Sequence, residues 1–261
     1  MKTKHLLCIL ALVVLLMTTG CGSSSNDDSS PDTSTDNLTS SDITVTDTLT
    51  ATDSDTHALE VSGDKSETRS NLRIIKTGDS SGGDDADFYG KNAAVLAANG
   101  ASLTLTDSII STDGTYANAV FSYGEGTTLN IKDSVITTSS RNSGGVMVTG
   151  GGTLNAENLT ITTSAGSSAA IRSDRGGGSL TVTGGSYTTS GTGSPAIYST
   201  ADITVNNATL ESKAAQGVVI EGKNSVTLND STLIADNNTH NSNKSTHYQA
   251  VMIYQSGSGD A

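Results

Sequence analysis

The sequence predicts an all-β chain wound as a right-handed parallel β-helix solenoid, with about 25 residues and three short strands per coil. Three observations carry that reading. First, one short apolar segment recurs seven times: Ala94-Val95-Leu96-Ala97, Ala119-Val120-Phe121-Ser122, Gly145-Val146-Met147-Val148, Ala170-Ile171-Arg172-Ser173, Ala196-Ile197-Tyr198-Ser199, Gly217-Val218-Val219-Ile220 and Ala250-Val251-Met252-Ile253. The β-branched residues at its second position stand 25, 26, 25, 26, 21 and 33 residues apart. Second, each of the first six segments is followed in fixed register by an alternating stretch such as Leu103-Thr-Leu105-Thr or Leu129-Asn-Ile131-Lys, the pattern of a strand with one buried face. Third, the next slot is always a turn former: Asp107, Asp133, Asn158, Gly184, Asn207 or Asp230. These residue types accept left-handed backbone or bond their own turn.

Each coil is therefore an anchor strand, a second strand, a sharp corner and a third strand ending at Ile110, Ile136, Ile161, Tyr187, Leu210 or Leu233. A propeller or sandwich would use antiparallel strands and hairpins, which would not stack like residues at one coil's spacing. A leucine-rich repeat would need a helical back, and helical periodicity is not evident. The predicted inward columns are Val95/Val120/Val146/Ile171/Ile197/Val218/Val251 and Leu103/Leu129/Leu154/Leu180/Ile203/Val226. The low aromatic content, 3%, suits so narrow an interior, which aliphatic ladders fill. Seven anchors stacked about 4.8 Å apart span about 30 Å.

The organisation before the coils is read from composition. Residues 1–20 open with Lys2 and Lys4, run through twelve apolar residues from Leu6 to Met17 and end in small residues, as an export signal does. Twelve residues are short for a bilayer span. Thr18-Thr19-Gly20-Cys21 resembles a bacterial lipoprotein cleavage box, which implies lipidation of Cys21; Thr18 stands where such boxes usually carry Leu. Cleavage there would remove Cys8 and leave Cys21 as the sole thiol, so no intrachain disulfide could form. Residues 21–41 are a Ser- and Asp-rich tether. Residues 42–93 hold degenerate strands such as Ala58-Leu-Glu-Val61 and Leu72-Arg-Ile74, expected as a terminal cap, with Phe88-Tyr89 covering the end of the first regular coil. Residues 94–261 are the regular coils. The last anchor, Ala250 to Ile253, lacks its second and third strands, so the expectation is a natural chain that runs on, or a partner that caps the edge.

Charge narrows the partners. The formal net charge is −13, and −15 without residues 1–20. Such a chain is repelled by nucleic acid and by anionic membranes, so nucleic-acid binding is excluded and any membrane association is through the lipid anchor.

The candidate site is the outer face of the anchor strands. Leu96, Phe121, Met147, Arg172, Tyr198, Val219 and Met252 form one outward column; Tyr123, Asp174, Glu221 and Tyr254 belong to the next. Four of the chain's nine aromatic residues fall on this face, more than a solvated strip should carry. The reading is a binding face for a glycan or an extended peptide, a protein ligand included; the alternative is that an N-terminal segment or a further domain covers it. Arg172, Asp174 and Arg175 form its one dense charge cluster and are read as a solvated ion pair. A hydrolase would need paired or tripled carboxylates on adjacent coils, and only Asp174 and Glu221, about 10 Å apart by coil spacing, are in these columns.

Other features weigh less. Asp84-Asp85-Ala-Asp87 is an isolated acidic loop without the repeated calcium motif, so no metal is assigned. The stretch from Asp236 to Tyr248, with His240 and His247, is a projecting insertion that accounts for the 33-residue step. Ice binding would need an unbroken Thr ladder, and Lys132 and Glu157 interrupt it.

The coil pattern from about residue 58 to 261, with stretches such as Ser194-Pro-Ala-Ile-Tyr-Ser-Thr-Ala-Asp-Ile203 and Val219-Ile-Glu-Gly-Lys-Asn-Ser-Val-Thr-Leu228, resembles the pectate-lyase-like, adhesin-like surface proteins of Gram-positive bacteria. The resemblance implies the fold and a cell-surface location. It supplies no catalytic residues and no cofactor. The expected function is adhesin-like binding without catalysis; the alternatives are a polysaccharide lyase or glycoside hydrolase, and a structural spacer for a further domain.

Overall fold

The computed structural model describes residues 37–237 and 249–255, all of which belong to one compact unit. They form a parallel β-solenoid of three sheets. The anchor sheet has eight strands, from Leu59–Ser62 to Val251–Tyr254. The second sheet has seven, from Ser66–Ser70 to Ser225–Asn229, and the third has eight, from Asp47–Ala51 to Thr232–Ala235. Each strand pairs in parallel with its equivalents one coil away.

Register follows the predicted columns. Val120 pairs with Val146 and Val95, and Leu154 with Leu129 and Leu180. The inward column residues are buried through the body of the stack, and one continuous core runs from Leu59 to Ile220. Burying each such side chain stabilises by roughly 1.5–3 kcal/mol. At the last rung the columns surface: Val226 is only half-buried and Val251 is 49% exposed. The corner residues Asp107, Asp133, Asn158, Gly184, Asn207 and Asp230 all have positive φ, between 46° and 69°, as their residue types predict. Amides also ladder between coils: Asn155 donates to Asn130 at 2.9 Å and Asn158 to Asp133 at 2.6 Å.

One feature departs from the sequence reading. The acidic stretch at Asp84 is not a loop but part of a seven-residue helix, α1 (Gly83–Tyr89), inserted between the third-sheet strand Leu72–Lys76 and the anchor strand Val95–Ala98. Asp84 and Asp85 lie in its first turn, where acidic side chains favour the helix dipole. Seven residues are too few to hold helix in isolation, so α1 depends on what it packs against. It ends at Gly90 in left-handed backbone, φ 70°. A Cβ there would lie 2.8 Å from Phe121 and 2.9 Å from Leu96, so both the turn and the close approach require glycine.

Among the described residues no helix is long and apolar enough to cross a membrane. Cys21, His240 and His247 lie outside the described residues, as do residues 1–36, which hold the expected signal segment and most of the tether.

Candidate functional site

The outward column of the anchor sheet does not meet solvent over its first half. Leu96, Phe121 and Met147 are buried and form a second apolar cluster with Ala93 and Ala98. The expectation of an exposed apolar strip is corrected here: α1 lies across it. Tyr89 packs edge-on against Tyr123, ring centres 5.4 Å apart. The Thr149 hydroxyl donates to the Phe88 carbonyl at 2.6 Å, and Arg175 stacks 4.1 Å over the Phe88 ring. The covering segment is thus the residue 83–90 insertion. Phe88 and Tyr89 cover the sheet face across successive coils rather than the end of the first regular coil.

The helix also delivers a charge. Asp87 Oδ2 lies 3.2 Å from Arg172 Nη2, and Asp174 ion-pairs with the same nitrogen. Arg172 is 8% exposed, so the expected solvated pair is instead a buried triad. Burial raises the proton affinity of the Asp87 carboxyl, against the opposing pull of Arg172. Asp174 is raised in the same way, again by burial first and against Arg172. Burial disfavours the Arg172 charge, but the two carboxylates outweigh it and hold the guanidinium firmly protonated. Arg172 Nη1 has no hydrogen-bond partner.

Two coils on, Glu221 gathers two phenols. The Tyr198 and Tyr254 hydroxyls both donate to Glu221 Oε2, the latter at 2.9 Å. Burial and the neighbouring carboxylate raise Tyr198 well above the ordinary phenol range, and burial pushes Tyr254 up to about 12. Val219 and Met252 are buried, 4% and 6% exposed, and the Gln216 amide donates to the Met252 sulfur at 3.7 Å.

A cleft of about 290 Å³ opens beside Arg172, Asp174 and Tyr198, lined also by Asn142, Ser167 and Pro195 among others. It adjoins, through Ser167 and Gly193, a polar groove of about 720 Å³ that crosses the loops of successive coils and includes Arg141. Arg172, Asp174 and Tyr198 are thus brought together with Glu221 and Tyr254, while Leu96, Phe121, Tyr123 and Met147 are taken under α1.

Sequence reasoning missed Asp87, because it sat in what read as an isolated acidic loop. A signal was present: Leu59 and Val95 are anchor partners 36 residues apart, against 25 for Val95 and Val120. The surplus is room for a covering element. Asn142 and Ser167 gave no signal, since Asn and Ser recur in turns along the chain; Pro195, one of only two prolines, was not read as a site residue.

Among the described residues, no group of three or more His, Cys, Asp or Glu side chains is placed to hold a metal ion. No protein-family model matches the chain, and no significant match is found to a curated protein or to a solved structure.

Proposed function

We propose that this chain is an exported, lipid-anchored, surface-displayed binding protein that takes a glycan without catalysis, through the cleft at Arg172, Asp174 and Tyr198. The observation that carries the reading is a cleft that Arg172 and Asp174 line together with Asn142, Ser167 and Tyr198. A charged donor and a charged acceptor side by side suit neighbouring sugar hydroxyls, one accepting and one donating. The Tyr198 ring supplies an amphipathic wall, and the adjoining polar groove offers room for further sugar units. An extended peptide is a weaker fit, because the apolar part of the face is already occupied by α1.

A second reading is a polysaccharide lyase or hydrolase. Asp87 adds a third carboxylate to Asp174 and Glu221, and burial raises the proton affinity of two of them. Against it, Asp87 and Asp174 converge on one guanidinium instead of facing each other across the cleft, which Asp174 lines and Asp87 does not.

A glycan array followed by calorimetry on the chain without residues 1–20 tests the first reading. Binding that is weakened about tenfold or more by Asn142→Ala or Tyr198→Ala supports it. Absence of any glycan ligand overturns it. Release of reducing or unsaturated sugars by the wild type, lost in Asp174→Asn, would establish the enzyme instead.

A further inference from the structure

We infer that α1 is an acid-closed strap: a proton shared in the Asp87–Arg172–Asp174 cluster holds the helix down on the anchor sheet, and loss of that proton as pH rises releases it. The inference goes beyond the glycan reading and does not depend on a ligand.

The geometry sets the charge balance. Three side chains only 16%, 10% and 18% exposed hold two carboxylates and one guanidinium. Fully ionised, the cluster carries one uncompensated negative charge away from water, which is unfavourable. A proton on one carboxylate removes it. Alternatively, one carboxylate can leave, and only Asp87 can, because Asp174 sits in the turn of a coil stacked on both sides. When Asp87 swings into water, Arg172 and Asp174 remain as a neutral pair. The short helix has little stability of its own to resist this.

The remaining groups around α1 do not supply the missing charge. Lys91 is exposed and pairs with Asp55 at 3.5 Å and Asp85 at 3.4 Å. Arg175 lies over Phe88 and contributes only weakly at Asp174. Glu221 adds negative potential at Asp174, and the Asn118 amide eases the charge on Asp87 only slightly. Tyr116 and Tyr123 contact the strap, Glu60 precedes Leu96 in its column, and His57 bonds the Ala93 carbonyl beyond the strap's end.

The direction follows from linkage. In the closed form Asp87 and Asp174 hold protons more tightly than an exposed carboxyl does. Their contribution to closure is therefore complete below the ordinary carboxyl pKa and is lost as pH rises through the raised one. The strap is tight in acid and loosens toward neutrality. Loosening bares Leu96, Phe121 and Met147.

The chain contains no tryptophan, so Phe88→Trp places a single reporter on the strap. In the full chain, acrylamide quenching of that residue should rise about twofold or more as pH goes from about 4 to about 8. Adding Asp87→Asn, neutral at every pH, should leave quenching low and flat. His57→Gln should keep the wild-type titration. Amide exchange over residues 83–90 of the unsubstituted chain, corrected for intrinsic rates, should follow the same course and stands in if the Phe88→Trp substitution disturbs packing. Quenching or exchange that is flat with pH, that rises on acidification, that still titrates in Asp87→Asn, or that stops titrating in His57→Gln overturns the proposal.

Discussion

The two ends of the described coil stack are finished differently. On the first strand of the second sheet, Glu67 and Arg69 stand in the columns that the next coil fills with Leu103 and Leu105. They pair with each other at 2.9 Å. At the other end the same columns end in Val226 and Leu228, the latter 36% exposed, and the anchor sheet ends in Val251 and Ile253, 49% and 69% exposed. One rung turns an apolar column into a charged one and so repels a further strand; the other keeps the chemistry of the interior at the last strand among the described residues. The stack is thus made of interchangeable rungs, and only the side chain in the column tells a rung whether it is inside.

The largest effect that would test this uses one substitution along one column. Leu154→Glu, in mid-stack, buries an unpaired charge and should destabilise by about 4 kcal/mol or more, often enough to prevent folding. Val226→Glu, in the same column at the half-buried end, should cost about 1 kcal/mol or less. Denaturant midpoints decide it, and equal losses would break the comparison. Truncation gives a milder version. Ile131→Ala should cost about 2–5 kcal/mol and Leu228→Ala about 1 kcal/mol, because a half-open site leaves little cavity.

The edges themselves should differ in association. Sedimentation of the wild type should show concentration-dependent self-association that Val251→Lys with Ile253→Lys removes, while Arg69→Lys leaves it unchanged. A monomer at all concentrations would show that the apolar end is not a pairing edge. The smallest effect lies at the charged end. Thr39 donates through its backbone N–H and its hydroxyl to Asp42, at 2.8 and 2.6 Å, and the side-chain bond first holds the carboxyl below its ordinary pKa. That stabilisation is present above the ordinary carboxyl pKa and fades as pH falls through the depressed one. In Thr39→Ala the Asp42 titration followed by NMR should move up toward the ordinary value.

The coil path was legible because period, register and corner residues were visible in every repeat: the same six corner positions read from Asp107 to Asp230 all take positive φ. The columns were legible for the same reason. The site was legible only where it lay on the repeat. Arg172, Asp174, Tyr198 and Glu221 could be placed on one face by counting, but what covered that face could not, because α1 breaks the repeat and its seven residues are too few to show a helical period. Asp87 reached Arg172 by packing rather than by spacing. The burial of Arg172 followed from the same helix, so the reading of a solvated pair failed with it.

The shared register has a consequence for how such a chain can change length. Leu129 and Leu154 are partners 25 residues apart, so deleting residues 129–153 would leave the strand ladders matched and shorten the stack by one step of about 4.8 Å, while taking Asn142 from the cleft and Met147 and Thr149 from beneath α1. A deletion of one residue inside a strand would turn the rest of that strand to the other face, whereas the turns absorb such changes: successive anchor partners stand 25, 26, 25, 26, 21 and 33 residues apart and stay in register. Height in this molecule is quantised: recombination between coils adds or removes whole steps, while small differences in length are taken up by the turns.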